Sequence, residues 1–176
     1  STSDENSHEL CVVSTFTGMR LELAEFFEQE VFGNGADDTE LKRFLLETSI
    51  LDKVCSELAD EIRDRRDSRT LLQSAMERGS FVFSVDREQH WYRLHTLMAQ
   101  YLRTQLKDAD PSLWKHLNRR ASDWFRRQPH FVNAFEHALA AGDYEHAAAI
   151  FDSEVLDRWC SNTFGSPKVE VLSLCG

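Results

Sequence analysis

Seven histidines and four cysteines carry most of the reactive chemistry in this 176-residue chain. Neither set falls into a familiar catalytic or metal-binding spacing. His90/His95 and His137/His146 lack the i, i+4 interval that puts two ligands on one helix face. H-E-x-x-H and C-x-x-C are both absent, so no metal centre is expected. No glycine precedes a lysine, which excludes a G-x-x-x-x-G-K-[ST] phosphate cradle, and G-x-G-x-x-G is missing too. No serine sits in a nucleophile elbow. The chain is therefore expected to have no catalytic residue. His95 stands out by position instead. It lies where alternating apolar spacing (Ser80 to Val85, then Trp91 to Leu94) gives way to helical spacing. A neutral imidazole donates one hydrogen bond, whereas the charged form donates two and pairs with phosphate. On residue type alone, a local cap, a packing residue and a sensor of a bound group all fit.

The surrounding pattern supplies elements to hold it. A helix is predicted over about Met19–Phe32, stopped by Gly33-Asn34-Gly35. A second opens near Asp37–Glu40, a pair with capping-box spacing, and continues through Leu41, Phe44, Leu45 and Thr48. A third puts Leu51, Val54, Cys55, Leu58, Ala59 and Ile62 on one face. A fourth starts near Asp67-Ser68, faces Leu71, Leu72, Ala75 and Met76 inward, and ends at Gly79. Phe81, Phe83 and Val85 alternate as on a half-buried strand, Asp86–Gln89 form a polar turn, and Trp91–Leu94 return. Three helices and a hairpin outline a winged helix-turn-helix. From His95 a stripe of Leu94, Leu97, Met98, Tyr101, Leu102 and Leu106 predicts a further helix.

Asp110-Pro111 reads as an N-cap and first helical residue, ahead of a face of Leu113, Leu117, Ala121, Trp124 and Phe125. After Pro129 comes a helix with Phe131, Ala134, Phe135, Ala138 and Leu139. Gly142 ends it, and Asp143 caps a last helix burying Tyr144, Ala147, Ala148 and Phe151. Short loops between these segments suggest an antiparallel helical hairpin of solenoid type. The predicted fold is mainly α. Its expected divisions are residues 1–36 as a linker helix at the end of a nucleotide-binding region, 37–108 as the winged helix, 109–160 as a TPR-like helical hairpin and 161–176 as a weakly patterned tail.

Charge limits the partners. The net charge is -10, against a general nucleic-acid surface, but residues 63–130 are net +6. Arg63, Arg65, Arg66 and Arg69 precede or open the helix that would read DNA, and Arg87 lies in the wing. Asp64 and Asp67 interrupt the basic run, and Gln73, Ser74 and Glu77 make a poor reading face. A direct DNA-binding module is therefore the weaker alternative, and a scaffold without a nucleotide role is another. Cys11, Cys55, Cys160 and Cys175 form no close pair and read as free thiols in a reducing cytoplasm. The polar start, Ser1 to Asn6, has no signal-peptide pattern, and no apolar run approaches the ~20 residues that span a bilayer. The chain is expected to be a piece of a larger protein.

Four segments resemble the MalT-like (LuxR-type, large ATP-binding) bacterial transcriptional regulators. Phe44 to Asp52 resembles the signature F-L-x-x-T-S-[IV]-L-[DE]. Trp91-Tyr92-Arg93-Leu94-His95, with Leu97-Met98-Ala99 and Leu102-Arg103, is similar to W-Y-R-x-H-x-L-F-x-x-x-L-R. Leu117 to Trp124 and Glu136 to Asp143 resemble the segments that follow. Together they span roughly residues 23–152. The resemblance implies a signal-transduction ATPase ordered as ATPase core, winged helix, helical sensor and LuxR-type DNA reader, of which this chain would hold the middle. It implies that His95 contacts the ADP β-phosphate in the intact, closed and inactive protein. It also implies ATP/ADP as cofactor of the parent only, the nucleotide-binding domain as an intramolecular partner, and a small-molecule or protein inducer at the helical sensor. DNA would be met through a separate domain, with no membrane contact, and self-association on activation stays open. Thr96 departs from the proline or aspartate found in relatives, and Met98 replaces an aromatic residue. After about residue 157 the similarity stops.

Overall fold

A computed structural model describes residues 36–153, except Ser80 and Pro129. The helix predicted at Met19–Phe32, Cys11, Cys160, Cys175 and the tail lie outside the described residues. Helices dominate, with one small two-stranded sheet. The described residues fall into two compact units, divided between Trp114 and Lys115.

In the first unit, helix α1 (Ala36–Thr48) buries Leu41, Phe44 and Leu45 at helical spacing. It starts at Ala36, so Asp37 lies inside the helix and is not its cap. Glu40 accepts a hydrogen bond from Arg65. At the other end the Thr48 and Ser49 hydroxyls donate back to the Phe44 and Leu46 carbonyls at 2.8 and 2.7 Å.

Helix α2 (Ser56–Arg63) is shorter than its apolar spacing predicts. Leu51, Val54 and Cys55 are buried but precede it outside any helix, Val54 and Cys55 in extended backbone. Val54 and Tyr92 exchange two backbone hydrogen bonds of 2.9 and 2.8 Å, so this segment borders the wing as an isolated bridge. Asp64, at φ 55, ends α2 in the left-handed region. Helix α3 (Ser68–Glu77) follows, packing Leu72 and Ala75 inward; its first N–H, on Ser68, donates to Asp60 Oδ1 at 3.0 Å. Leu71 and Met76 are only half-buried. α3 packs against α1 and α2.

Strands β1 (Val82–Ser84) and β2 (Tyr92–Leu94) pair antiparallel with Val82 opposite Leu94. This pair is the buried face, while Phe83 and Val85 are exposed. Of the alternating set Phe81, Phe83 and Val85, the latter two are therefore on the exposed face, and Phe81 is half-buried ahead of the strand. A shift of one residue inverts a strand, and Phe81, at φ 57, breaks the alternation before the strand begins. In the turn, Asp86 Oδ1 accepts from the N–H groups of His90 and Trp91 at 2.9 and 3.2 Å.

Helix α4 (Thr96–Ala109) buries Met98, Ala99, Leu102 and Leu106 and packs against α1; Leu97 of the predicted stripe is exposed and Tyr101 half-buried. Asp110 Oδ1 then accepts from Leu113 N–H at 2.9 Å, opening α5 (Pro111–Arg126) as its sequence predicts. The pattern put the change of domain at residue 109. The packing puts it after Trp114, whose ring lies under the Lys107 ammonium at 5.9 Å.

The second unit comprises the rest of α5, α6 (Phe131–Ala141) and α7, the helical residues 144–153. Small and polar groups fill its interior. Ser122 Oγ donates to the Ala134 carbonyl at 2.7 Å, and His137 Nδ1 lies 2.8 Å from Asn118 Oδ1. The Phe125 and His137 rings stack at 5.5 Å. Ala134, Ala138 and Ala141 are buried beside them. Gly142 takes φ 74 and closes α6, and Asp143 Oδ1 caps α7 by accepting from His146 N–H at 2.9 Å. The predicted α7 face needs correction. Ala147 and Ile150 are buried, whereas Tyr144, Ala148 and Phe151 are exposed.

Candidate functional site at the wing and its junction

His95 sits between β2 and α4. Its N–H donates to the Phe81 carbonyl at 2.8 Å and its carbonyl accepts from Ala99 N–H at 2.9 Å. Both backbone groups are therefore fixed. The side chain makes no capping hydrogen bond and is exposed. The Phe81 and Phe83 rings lie 5.9 and 6.3 Å from the imidazole, centroid to centroid. Phe83, Val85 and Leu97 add exposed apolar surface in the flanking backbone. A polar ring held at a fixed point within an apolar rim can meet a group presented by another domain.

The five candidate arginines separate into different settings. Arg63 has no exposed side-chain surface. Its Nε donates to Glu47 Oε2 at 2.9 Å, its Nη1 donates to Asp67 Oδ1 at 2.7 Å and Ser68 Oγ at 3.1 Å, and its guanidinium lies 4.8 Å over the Phe44 ring. This is a correction to the DNA-binding alternative: Arg63 joins α1, α2 and α3 from within and cannot reach a phosphate. Arg65 is paired with Glu40. Arg66, Arg69 and Arg87 are exposed, and they do not make the continuous basic face that a reading helix needs.

Asp67 shows the balance around Arg63. Burial acts to raise its carboxyl, but the hydrogen bond and charge of Arg63 outweigh that and hold it below the ordinary aspartate range.

A second constellation joins the wing turn to the start of α2 and was not legible from local spacing. Cys55, Glu57 and His90 bring one sulfur, one carboxylate oxygen and one ring nitrogen within 4.8 Å of one another. Glu57 and His90 line a cavity of about 430 Å³, together with Arg69, Gln73, Glu88 and Tyr92. Burial pushes the Cys55 thiol up to about 11. Glu57 is held below the usual range by a backbone hydrogen bond at its own N–H, against the opposing effect of burial.

Residues 28–114 match the family described as MalT winged helix domain. The chain is 32% identical over 117 residues to the serine/threonine-protein kinase PknK of Mycobacterium tuberculosis, covering 66% of this chain and 10% of that protein. It is 30% identical over 152 residues to the HTH-type transcriptional regulator MalT of Vibrio cholerae, covering 85% and 16%. The regulator of the same name from Vibrio parahaemolyticus is 29% identical over 130 residues, covering 74% and 14%. The chain thus spans only a small part of the curated relatives it matches.

Proposed function

We propose that this chain, which belongs to the MalT winged-helix family through residues 28–114, is the regulatory segment of an ATP-dependent transcriptional activator. On this reading it couples the nucleotide state of an ATPase core, elsewhere in the parent, to inducer sensing and control of transcription. The observation that carries the reading is the setting of His95: backbone fixed at both ends, side chain uncommitted and facing solvent at the wing-to-helix junction. Contact between this imidazole and the ADP β-phosphate would add affinity in the closed state alone, which is what shifts a two-state equilibrium. ATP exchange and inducer binding would release it.

The nucleotide then belongs to the parent, and the chain by itself hydrolyses no ATP. A small-molecule or protein inducer would engage the helical unit that starts at Lys115, and DNA would be contacted by a separate domain in the cytoplasm. Self-association would follow activation. Relatives named as a kinase and as transcriptional regulators share this segment. That supports a coupling role over an output role. No helix among the described residues is long and apolar enough to cross a membrane.

The test uses the intact regulator. His95→Ala should speed ADP release and raise transcription in the absence of inducer. If both stay at wild-type levels, the nucleotide-sensing role is lost and a plain scaffold remains. The DNA-binding alternative has a separate test: it requires duplex retardation at low salt that weakens steeply as salt rises.

A further inference from the structure

The geometry points to a transition-metal site beside the wing turn, formed by Cys55 Sγ, the Glu57 carboxylate and His90 Nε2, which binds a divalent ion of the zinc class. The three donor atoms come from two places far apart in sequence, and the fold itself aligns them. Val54 and Tyr92, next to Cys55 and near His90, exchange two backbone hydrogen bonds. Cys55 precedes α2 in extended backbone and Glu57 lies in that helix's first turn. His90 is fixed through its N–H by Asp86 Oδ1, and its ring packs edge-on to Trp91 at 5.9 Å. The backbone of every ligand is therefore set before any ion arrives.

Distances and donor types agree with this class of ion. His90 Nε2 and Glu57 Oε2 are 3.9 Å apart. Donors on a tetrahedral ion with bonds of about 2.0–2.3 Å stand roughly 3.3–3.8 Å from one another. The three donor atoms, all within 4.8 Å of one another, close to that range by small rotations of two side chains that are more than half exposed. Thiolate and imidazole select zinc-class ions over magnesium or calcium, which take oxygen ligands. Cys55 enters as thiolate, so binding releases its proton to solvent. Three protein donors leave one coordination position, and the cavity lined by Glu57 and His90 gives water access to it. An ion here would tie the wing turn to the start of α2.

Cobalt(II) is the probe, titrated into the full 176-residue chain under reducing conditions. The expected result is one ion per chain, with visible bands of tetrahedral cobalt and a near-ultraviolet sulfur-to-cobalt band, all erased by added zinc. Cys55→Ser should remove the near-ultraviolet band, which separates this thiol from the other three cysteines. That substitution is at a buried position and can disturb the fold, so His90→Ala, at an exposed one, provides the second arm. It should weaken cobalt binding at least about tenfold while leaving the far-ultraviolet circular dichroism unchanged. Absence of the sulfur-to-cobalt band, its persistence in Cys55→Ser, or wild-type affinity in His90→Ala would each overturn the site.

Discussion

Arg103 donates from Nη2 to the Leu51 carbonyl oxygen at 3.0 Å, across 52 residues of sequence. Its Nε donates to the Ser49 carbonyl and its other contact is Asp52 Oδ1 at 3.1 Å. Ser49, Leu51 and Asp52 belong to one of the motifs that resemble MalT-like regulators, and Arg103 closes another. The two motifs are thus two sides of a single clamp between the end of α1 and the middle of α4.

This clamp predicts a specific pattern of substitution. Arg103→Ala leaves two backbone carbonyls without their donor and should cost about 1.5–3 kcal/mol, the range for hydrogen bonds involving a charged group. Arg103→Lys should recover little, because an ammonium cannot serve two carbonyls and a carboxylate in the planar fork that guanidinium provides. Urea unfolding followed by circular dichroism measures both. A lysine variant as stable as wild type would show that charge alone matters there.

Arg63 predicts a larger loss. Its guanidinium is enclosed and holds Glu47, whose side chain is only 6% exposed. Breaking a buried pair typically costs about 3–5 kcal/mol, and the lower end applies here because Glu47 keeps a second partner, accepting from Arg43 Nε at 2.9 Å. Arg63→Ala should lower the unfolding midpoint more than Arg66→Ala, at an exposed site where changes stay within about 0.5 kcal/mol. Equal midpoints for the two variants would mean that Arg43 alone satisfies Glu47.

The difference between these arginines marks the limit of what the sequence discloses. The helical cores were legible because Leu41, Phe44 and Leu45, or Met98, Leu102 and Leu106, repeat at the helix period and are buried together. Asp110-Pro111 and Gly142-Asp143 were legible because a side-chain cap and a left-handed residue are local needs. Arg63 looked like part of a basic surface run, and only the approach of Glu47 from α1 places it inside. Leu51, Val54 and Cys55 fit helical spacing with Leu58, yet none is helical, and Val54 and Cys55 are extended where Val54 pairs with Tyr92. His95 could be singled out by the change of period. Cys55, Glu57 and His90 could not, since their association depends on that same long-range bridge.

Acid should weaken the Arg63 region in a predictable direction. Asp67 has its carboxyl depressed in the folded protein. Such a group stabilises the fold above its unfolded value, about 3.9, and that contribution is lost as pH falls through the lower folded value. Asp67→Asn should therefore destabilise at neutral pH and flatten the decline of stability below about pH 4. Thermal midpoints from pH 7 to pH 2.5 test this. If the mutant and wild-type curves ran parallel throughout, Asp67 would contribute nothing to the acid limb.

His95 should matter least to folding of all these residues. Its two structural hydrogen bonds, to Phe81 and from Ala99, use only backbone atoms and survive any substitution that keeps the φ of -54 and ψ of 136. Its ring is exposed and caps no N–H. His95→Ala should then change the stability of the isolated chain by no more than about 0.5 kcal/mol, the usual effect at an uncommitted surface position. The contacts with Phe81 and Phe83 add edge and tilted ring packing, which sets the upper end of that range. This matters for the functional test in the parent. A variant that keeps its fold but releases ADP faster has lost a nucleotide contact, whereas one that loses both has lost a packing residue. Chemical denaturation of His95→Ala in the 176-residue chain separates the two, and a loss beyond about 2 kcal/mol would return His95 to a structural role.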